Sequence, residues 1–243
     1  MDVTDARSRL RTLRRESGAG VSFTAWLVKT ISTAIVEHKE VHALLHRGGK
    51  KLIVFDDVDV AVLVEKEVEG TLVPLPVVLA QADRKTMVQI QEELAWAKKR
   101  DVQSERDYVL AGALSALQMK LYYLLPSSIR LLVMNFILSR PLLRKKLMGT
   151  VILTSIGTKR GFPGWFIHKS YHTLSFGIGS VVKKPWVVHD EIKAREILNL
   201  TILLDHDVID GAPMARFVSY LLHLMETASG LQQSPSAGLT RGD

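Results

Sequence analysis

The sequence predicts an α/β fold, and three observations carry that expectation. Ile197 to Leu204 is a largely apolar strand that delivers a short turn and then a helix beginning near Asp210 or Gly211 and running through Met225. On that helix Met214, Phe217, Val218, Leu221, Leu222 and Met225 recur at spacings of three and four, so strand and helix are both expected to be buried. Phe23 to His38 carries Trp26, Leu27, Thr30, Ile31, Ala34 and Ile35 on one helical face, a stripe suited to packing on a sheet. Between these two helices lie strand-like runs rich in Val and Leu.

In chain order, Thr4 to Glu16 reads as a short, highly charged helix entered from Asp2-Val3-Thr4 and ended by Gly18 and Gly20. Ser22 has the chemistry of an N-cap for the second helix. Lys51 to Phe55 and Val58 to Glu65 read as strands separated by the Asp56-Asp57 turn, and Thr71 to Val78 as another strand after Gly70. Pro74 and Pro76 lack the amide hydrogens that an inner strand needs, so this last strand belongs at an edge. After the Ala82-Asp83-Arg84 turn, Lys85 to Lys99 follows the helical period, with Met87, Ile90, Leu94 and Trp96 on or near one face.

Two apolar helical stretches follow, Tyr108 to Leu125 and Ser127 to Leu138, broken at Pro126. Arg140-Pro141 then opens a basic segment with Arg144-Lys145-Lys146. The uncharged run Leu131 to Leu138 is far below the roughly 20 residues that span a bilayer. Two readings of 108–146 stand side by side. One is an insertion buried against its own subunit or a neighbour, the commoner use of such patterning. The other is a membrane-surface or acyl-chain-binding element, since apolar residues flanked by Lys and Arg suit an anionic lipid interface. Val151 to Leu153, Leu174 to Gly179, Pro185 to His189 and Ile197 to Leu204 complete the expected strands, and 230–243, rich in Ser, Gly, Gln and Pro, reads as a disordered tail.

Composition narrows the chemistry. At 243 residues and 47% hydrophobic content the chain can bury one substantial core. With no cysteine there is no disulfide, thiolate metal site or cysteine nucleophile, so any reactive thiol must arrive with a substrate. No metal site is expected. The net charge of +7 suits an anionic partner. The basic residues are dispersed and not interleaved with aromatics, which speaks against nucleic acid. The first sixteen residues hold eight charged side chains and no apolar run, so no signal peptide is read and a cytoplasmic protein is expected, with peripheral membrane attachment as the alternative that 108–146 offers.

The turn after the last strand concentrates the chemistry. Asp205-His206-Asp207 is followed by Asp210-Gly211, giving His-x-x-x-Asp-Gly at the end of an apolar strand. That string resembles the active-site motif of the dihydrolipoamide acyltransferases, the catalytic cores of 2-oxo acid dehydrogenase complexes, and more distantly chloramphenicol acetyltransferase. Other segments resemble the same family in the same order: Asp2-Val3-Thr4, Ala61-Val62, Gly70 to Val77, Ala82 to Thr86, Thr154-Ser155-Ile156-Gly157 and Leu174 to Gly179. The resemblance lapses over 100–148. Phe166-Ile167 and Tyr171-His172 stand where the family usually places prolines, and Asp207 stands where it usually has arginine.

The resemblance implies a two-layer α/β sandwich, a mixed β-sheet flanked by helices, in a trimeric assembly with active sites between subunits. It implies one catalytic domain over 1–229 with a helical insertion at 104–148. It implies acyl transfer between coenzyme A, a substrate, and a thiol of lipoyl type or another small acceptor. His206 would be the general base, as an imidazole titrating near neutrality can be. Thr154 would donate its hydroxyl to the oxyanion, with Ser155 as its neighbour and Asp205 as part of the motif. Asp210 would hold the loop, commonly through an arginine, and Gly211 would allow the tight turn. No lipoyl or subunit-binding segment is recognisable, so a lipoyl group would come in trans from a partner protein, and trimers could build a larger assembly. A non-catalytic trimeric scaffold and a membrane-associated acyltransferase for longer acyl chains are the alternatives.

Overall fold

The structure, a computed structural model, describes residues 1–17, 20–46, 51–68, 71–99, 121–122, 124–156 and 163–231. Helices α1 (Thr4–Ser17) and α2 (Phe23–Val36) lead, through a 3-10 turn at Lys39–His42, to a minimal hairpin of β1 (Leu44–Leu45) and β2 (Leu52–Ile53). Then come β3 (Val60–Val68), β4 (Thr71–Leu79), α3 (Met87–Lys99), α4 (Ser127–Leu138) and α5 (Pro141–Met148). The chain closes with β5 (Val151–Ser155), β6 (Leu174–Val188), β7 (Glu191–Leu204) and α6 (Gly211–Glu226).

The main sheet has the order β4-β3-β5-β6-β7. β3, β5 and β6 run parallel to one another, while β4 and β7 run antiparallel to their neighbours. A mixed sheet flanked by helices is therefore the architecture. The two-residue side-chain period sends Val60, Val62, Val64, Val151, Leu153, Leu174, Phe176 and Ile178 to one face. There they meet Trp26, Ile31 and Ile35 of α2, Ile90 and Leu94 of α3, and Phe217 and Leu221 of α6 in a single buried cluster.

Local chemistry explains the elements. The Ser22 hydroxyl accepts the Ala25 amide at 3.2 Å and starts α2. Thr86 and Gln89 exchange side-chain bonds with each other's amides, at 3.2 and 2.9 Å, and so start α3. Pro74 and Pro76 lie on β4, which is the sheet edge, so their missing amide hydrogens leave no ladder bond unmade. Asp2-Val3-Thr4 runs beside the outer strand β7: Asp2 bridges Ile197 and the Val3 amide donates to the Glu196 carbonyl at 2.9 Å.

Several sequence expectations need correction. Only Leu52–Ile53 of the 51–55 run is strand, and it pairs with Leu44–Leu45 instead of joining the main sheet. The separate strands expected at 174–179 and 185–189 are one 15-residue strand, bulged between Ile178 and Val181, and β7 begins at Glu191 and not Ile197. Their hairpin turns at His189-Asp190, both with positive φ, a geometry usually signalled by Gly or Asn. Trp96 faces solvent, 63% exposed, while Ile90 and Leu94 face the core. Gly230 and Leu231 of the expected tail are described, with Leu231 buried against the core, and 232–243 lie outside the described residues. Most of the expected helix Tyr108 to Leu125, and Gly157, lie there too. Within α4 only Ile137 is buried, so this helix does not bury itself against its own subunit.

Candidate active site

β7 hands the chain to a tight turn in which Asp205 is the anchor. The Asp205 amide donates to the Thr173 carbonyl at 2.9 Å, extending the β6–β7 ladder by one step. The Asp205 carbonyl accepts the amides of Val208 (3.1 Å) and Ile209 (3.2 Å), and its carboxylate accepts the Asp207 amide at 3.1 Å. Val208 and Ile209 are buried, so the far side of the turn is pinned by packing. His206 sits at the top of this pinned turn and is exposed. Among the described residues, neither those after Gly157 nor those of the apolar insertion seal it off.

Asp205 thus holds this turn, a role the resemblance implied for Asp210. Asp210 is the N-cap residue of α6, but its carboxylate makes no capping bond and no ion pair among the described residues, and it is exposed. Its carbonyl accepts the Met214 amide at 3.2 Å. Gly211 opens α6 without a left-handed φ, and a Cβ there would meet nothing within 4 Å. A tight turn therefore does not require glycine at 211 within one chain.

Two residues that sequence reasoning missed stand behind the turn. The half-buried His172 imidazole lies between the Met148 carbonyl (2.9 Å) and the Ser170 hydroxyl (3.1 Å), tying the end of α5 to the segment that holds Asp205. Burial pushes its pKa down to about 4. Arg144 of α5 is also mostly buried, its Nε without a hydrogen-bond partner; burial pulls its guanidinium below the ordinary value and the Asp205 carboxylate opposes that. Only a Tyr-His pair departing from proline, and a cation in the insertion, hinted at either.

Thr154, the next-to-last residue of β5, stands opposite Gly177 of β6, and Ser155 opposite Ile178. The two-residue period puts Thr154 on the face away from the helices, half-buried, with Ser155 exposed beyond it. That face is covered by 163–170, an extended segment held by Gly164 to Ser180 (amide to hydroxyl, 2.8 Å) and by the Thr201 hydroxyl to the Phe166 carbonyl (2.7 Å). His168 lies against Gly177, where any Cβ would come within 2.9 Å of its Nδ1, so glycine is required there for close approach. Thr154 therefore has a histidine-capped glycine as its lateral neighbour.

The register decides how the two proposed reacting groups relate. Thr154 is level with Gly177 and Thr201, whereas His206 lies past Leu204, beyond the Leu174–Leu204 end of the β6–β7 ladder. The three strand steps from Thr201 to Leu204 are roughly 10 Å along the strands, the turn lies beyond them, and two strand spacings add roughly 10 Å across. An imidazole and a hydroxyl so separated cannot serve one reacting carbonyl within a single chain. They can do so where the His206 end of one subunit meets the Thr154 end of another.

A family model described as 2-oxoacid dehydrogenases acyltransferase (catalytic domain) matches residues 1–105 and 166–232. The dihydrolipoyllysine-residue acetyltransferase component of the Staphylococcus aureus pyruvate dehydrogenase complex is 24% identical over 225 residues, 91% of this chain and 42% of that protein. The chain thus spans less than half the length of this curated relative. The cubic core of a pyruvate dehydrogenase multienzyme complex superimposes with a TM-score of 0.64 at 19% identity, covering 95% of this chain and 80% of the other. Azotobacter vinelandii dihydrolipoamide acetyltransferase superimposes with a TM-score of 0.62 at 18% identity, with the same coverages, and a serine, a histidine and an asparagine were investigated for their role in its catalytic mechanism. In that protein the asparagine follows the histidine by four positions.

Proposed function

Because the chain belongs to the family of 2-oxoacid dehydrogenase acyltransferase catalytic domains, we propose that it transfers an acyl group between coenzyme A and a thiol acceptor, either a lipoyl group on a partner protein or a small molecule. The observation that carries this reading is His206, exposed at the top of a turn pinned on both sides by Asp205 and by buried Val208 and Ile209. A general base must be reachable and carried on a fixed backbone, and the exposed imidazole stands on a pinned turn. The spacing agrees: in the Azotobacter protein the serine precedes the histidine by the same number of positions that separates Thr154 from His206, and the asparagine stands where Asp210 stands.

The His206 imidazole takes the proton of the incoming thiol, and the thiolate forms a bond to the thioester carbonyl carbon. The carbonyl oxygen becomes an oxyanion, toward which the Thr154 hydroxyl of a neighbouring subunit donates. Collapse of the tetrahedral species breaks the bond to the original sulfur, which leaves with the proton from His206. No acyl-enzyme is needed, consistent with a chain that has no cysteine. The separation of His206 and Thr154 within one chain calls for a site shared between subunits, and the resemblance supplies its form, homotrimers that can build larger assemblies.

Thiol release from acetyl-coenzyme A in the presence of dihydrolipoamide tests the reading. His206→Ala should lower kcat by about 10² to 10⁴. Thr154→Val should cost about 10², while Thr154→Ser retains most of the rate. No turnover by the wild type, or equal turnover by His206→Ala, would leave a non-catalytic trimeric core as the better description.

A further inference from the structure

Residues 106–165 lie outside the match to the family, and the helical pair α4 and α5 within them presents an apolar face to solvent. Leu131 and Leu132 are 65% and 67% exposed, Phe136 49% and Leu142 75%. Ile129, Leu132 and Phe136 follow the three-and-four spacing and so line one side of α4, away from the buried Ile137. Large exposed apolar groups this close together on a helix surface mark a contact site more than scattered hydrophobics do.

Charge says what that contact is. From residue 121 to residue 149 the chain has no Asp or Glu, but carries Arg130, Arg140, Arg144, Lys145 and Lys146. Two of these cations are engaged inward: Lys145 pairs with Asp57, and Arg144 faces Asp205. Arg140 and Lys146 are exposed, and the Arg140 guanidinium lies 4.6 Å from the centroid of the Phe136 ring, at the rim of the apolar face. A second copy docking through the same face would bring cations against cations with no carboxylate to meet them. An anionic lipid surface supplies both what the apolar side chains lack and what the rim attracts. No helix among the described residues is long and apolar enough to cross a membrane, so the contact is interfacial.

We propose that α4 and α5 dock this protein on an anionic membrane surface, with Leu131, Leu132, Phe136 and Leu142 entering the interface and Arg140 and Lys146 meeting phosphate headgroups. The inference is independent of the acyl-transfer reading and stands or falls on its own measurement. Flotation with phosphatidylcholine vesicles, with and without phosphatidylglycerol, should carry the full chain upward only with the anionic lipid. Raising the salt to about 1 M, where screening reaches about 3 Å, should weaken the binding. A double substitution, Leu132→Glu with Phe136→Glu, should cut the floated fraction about tenfold with an unchanged far-ultraviolet spectrum. Arg140→Gln with Lys146→Gln, which leaves the apolar face intact, should weaken binding to the anionic vesicles alone. Absence of flotation by the wild type, or flotation unchanged in both variants, overturns the proposal. So does dissociation of the oligomer by the Leu132→Glu, Phe136→Glu protein in light scattering, since the face would then be covered by another subunit.

Discussion

The imidazoles most deeply enclosed in this fold are not the one offered for chemistry. His42 is fully buried, with Nδ1 3.0 Å from the Thr150 hydroxyl and Nε2 unpartnered, and burial pushes its pKa down to about 4, as it does for His172. Each ring is excluded from protonation in the folded state but not in the unfolded chain, where histidine titrates near 6.5. Between about pH 6.5 and pH 4 the unfolded chain therefore binds protons that the folded chain refuses, and stability falls as pH falls through that window. Above it the contribution is fully present. Asp59, raised by its burial, works in the opposite sense but near the acid end of the range. The two histidines together should cost several kcal/mol, on the order of 3 each, between about pH 7 and pH 4. Denaturant midpoints measured against pH check this, and a flat profile from about pH 7 to pH 4.5 contradicts it. His206, by contrast, was legible as a functional residue from its place at a strand end before Asp-Gly. What was not legible was that the residue before it, Asp205, supplies the hydrogen bonds that hold the turn, because that requires knowing which amides fold back onto it.

At the scale of elements, the start of the chain is stitched to the outer strand by one ion-pair network. The Asp2 carboxylate accepts from the Thr4 amide (2.9 Å) and hydroxyl (2.6 Å) and pairs with Arg195, which also reaches Asp5. Burial alone would raise the Asp2 carboxyl, but the Thr4 bonds and Arg195 outweigh it and hold it below its ordinary value. The same Thr4 hydroxyl accepts the Glu196 amide at 2.7 Å, and Glu196 in turn meets Arg7 and Arg11 of α1. One carboxylate thus starts α1 and fixes it against β7, the strand that delivers His206. Asp2→Ala should destabilise the fold by about 1 to 3 kcal/mol in chemical unfolding, with Arg195→Leu having a similar effect. A change within a few tenths of a kcal/mol would show that the pairing is ornamental. Helices were read well from sequence because the 3.6-residue period and the caps at Ser22 and Thr86 are local. The β6–β7 hairpin was read poorly because His189-Asp190 carries no turn signal and because β6 and β7 past the bulge are largely exposed, with charged residues on both strands.

The whole molecule is an assembly problem. One chain presents an exposed imidazole on a pinned turn past Leu204 and a hydroxyl two strands away, level with Thr201, too far apart to act on one carbonyl. Gly211, with open space around it, and Asp210, without a partner among the described residues, sit beside that imidazole, where a neighbouring subunit or a substrate would approach. The order of motifs along the sequence indicated the sheet and its helices, since each motif lies on one element. It could not indicate that α4 buries only Ile137, because apolar periodicity alone does not say whether a face meets the core or something outside the chain. Subunit mixing tests the shared site most directly. His206→Ala and Thr154→Val, each nearly inactive, are co-expressed so that trimers contain both chains, and turnover is measured. If His206 of one subunit works with Thr154 of the next, about a quarter of the sites regain both intact groups and activity returns to about a quarter of wild type. Activity no greater than the average of the two variants would contradict it.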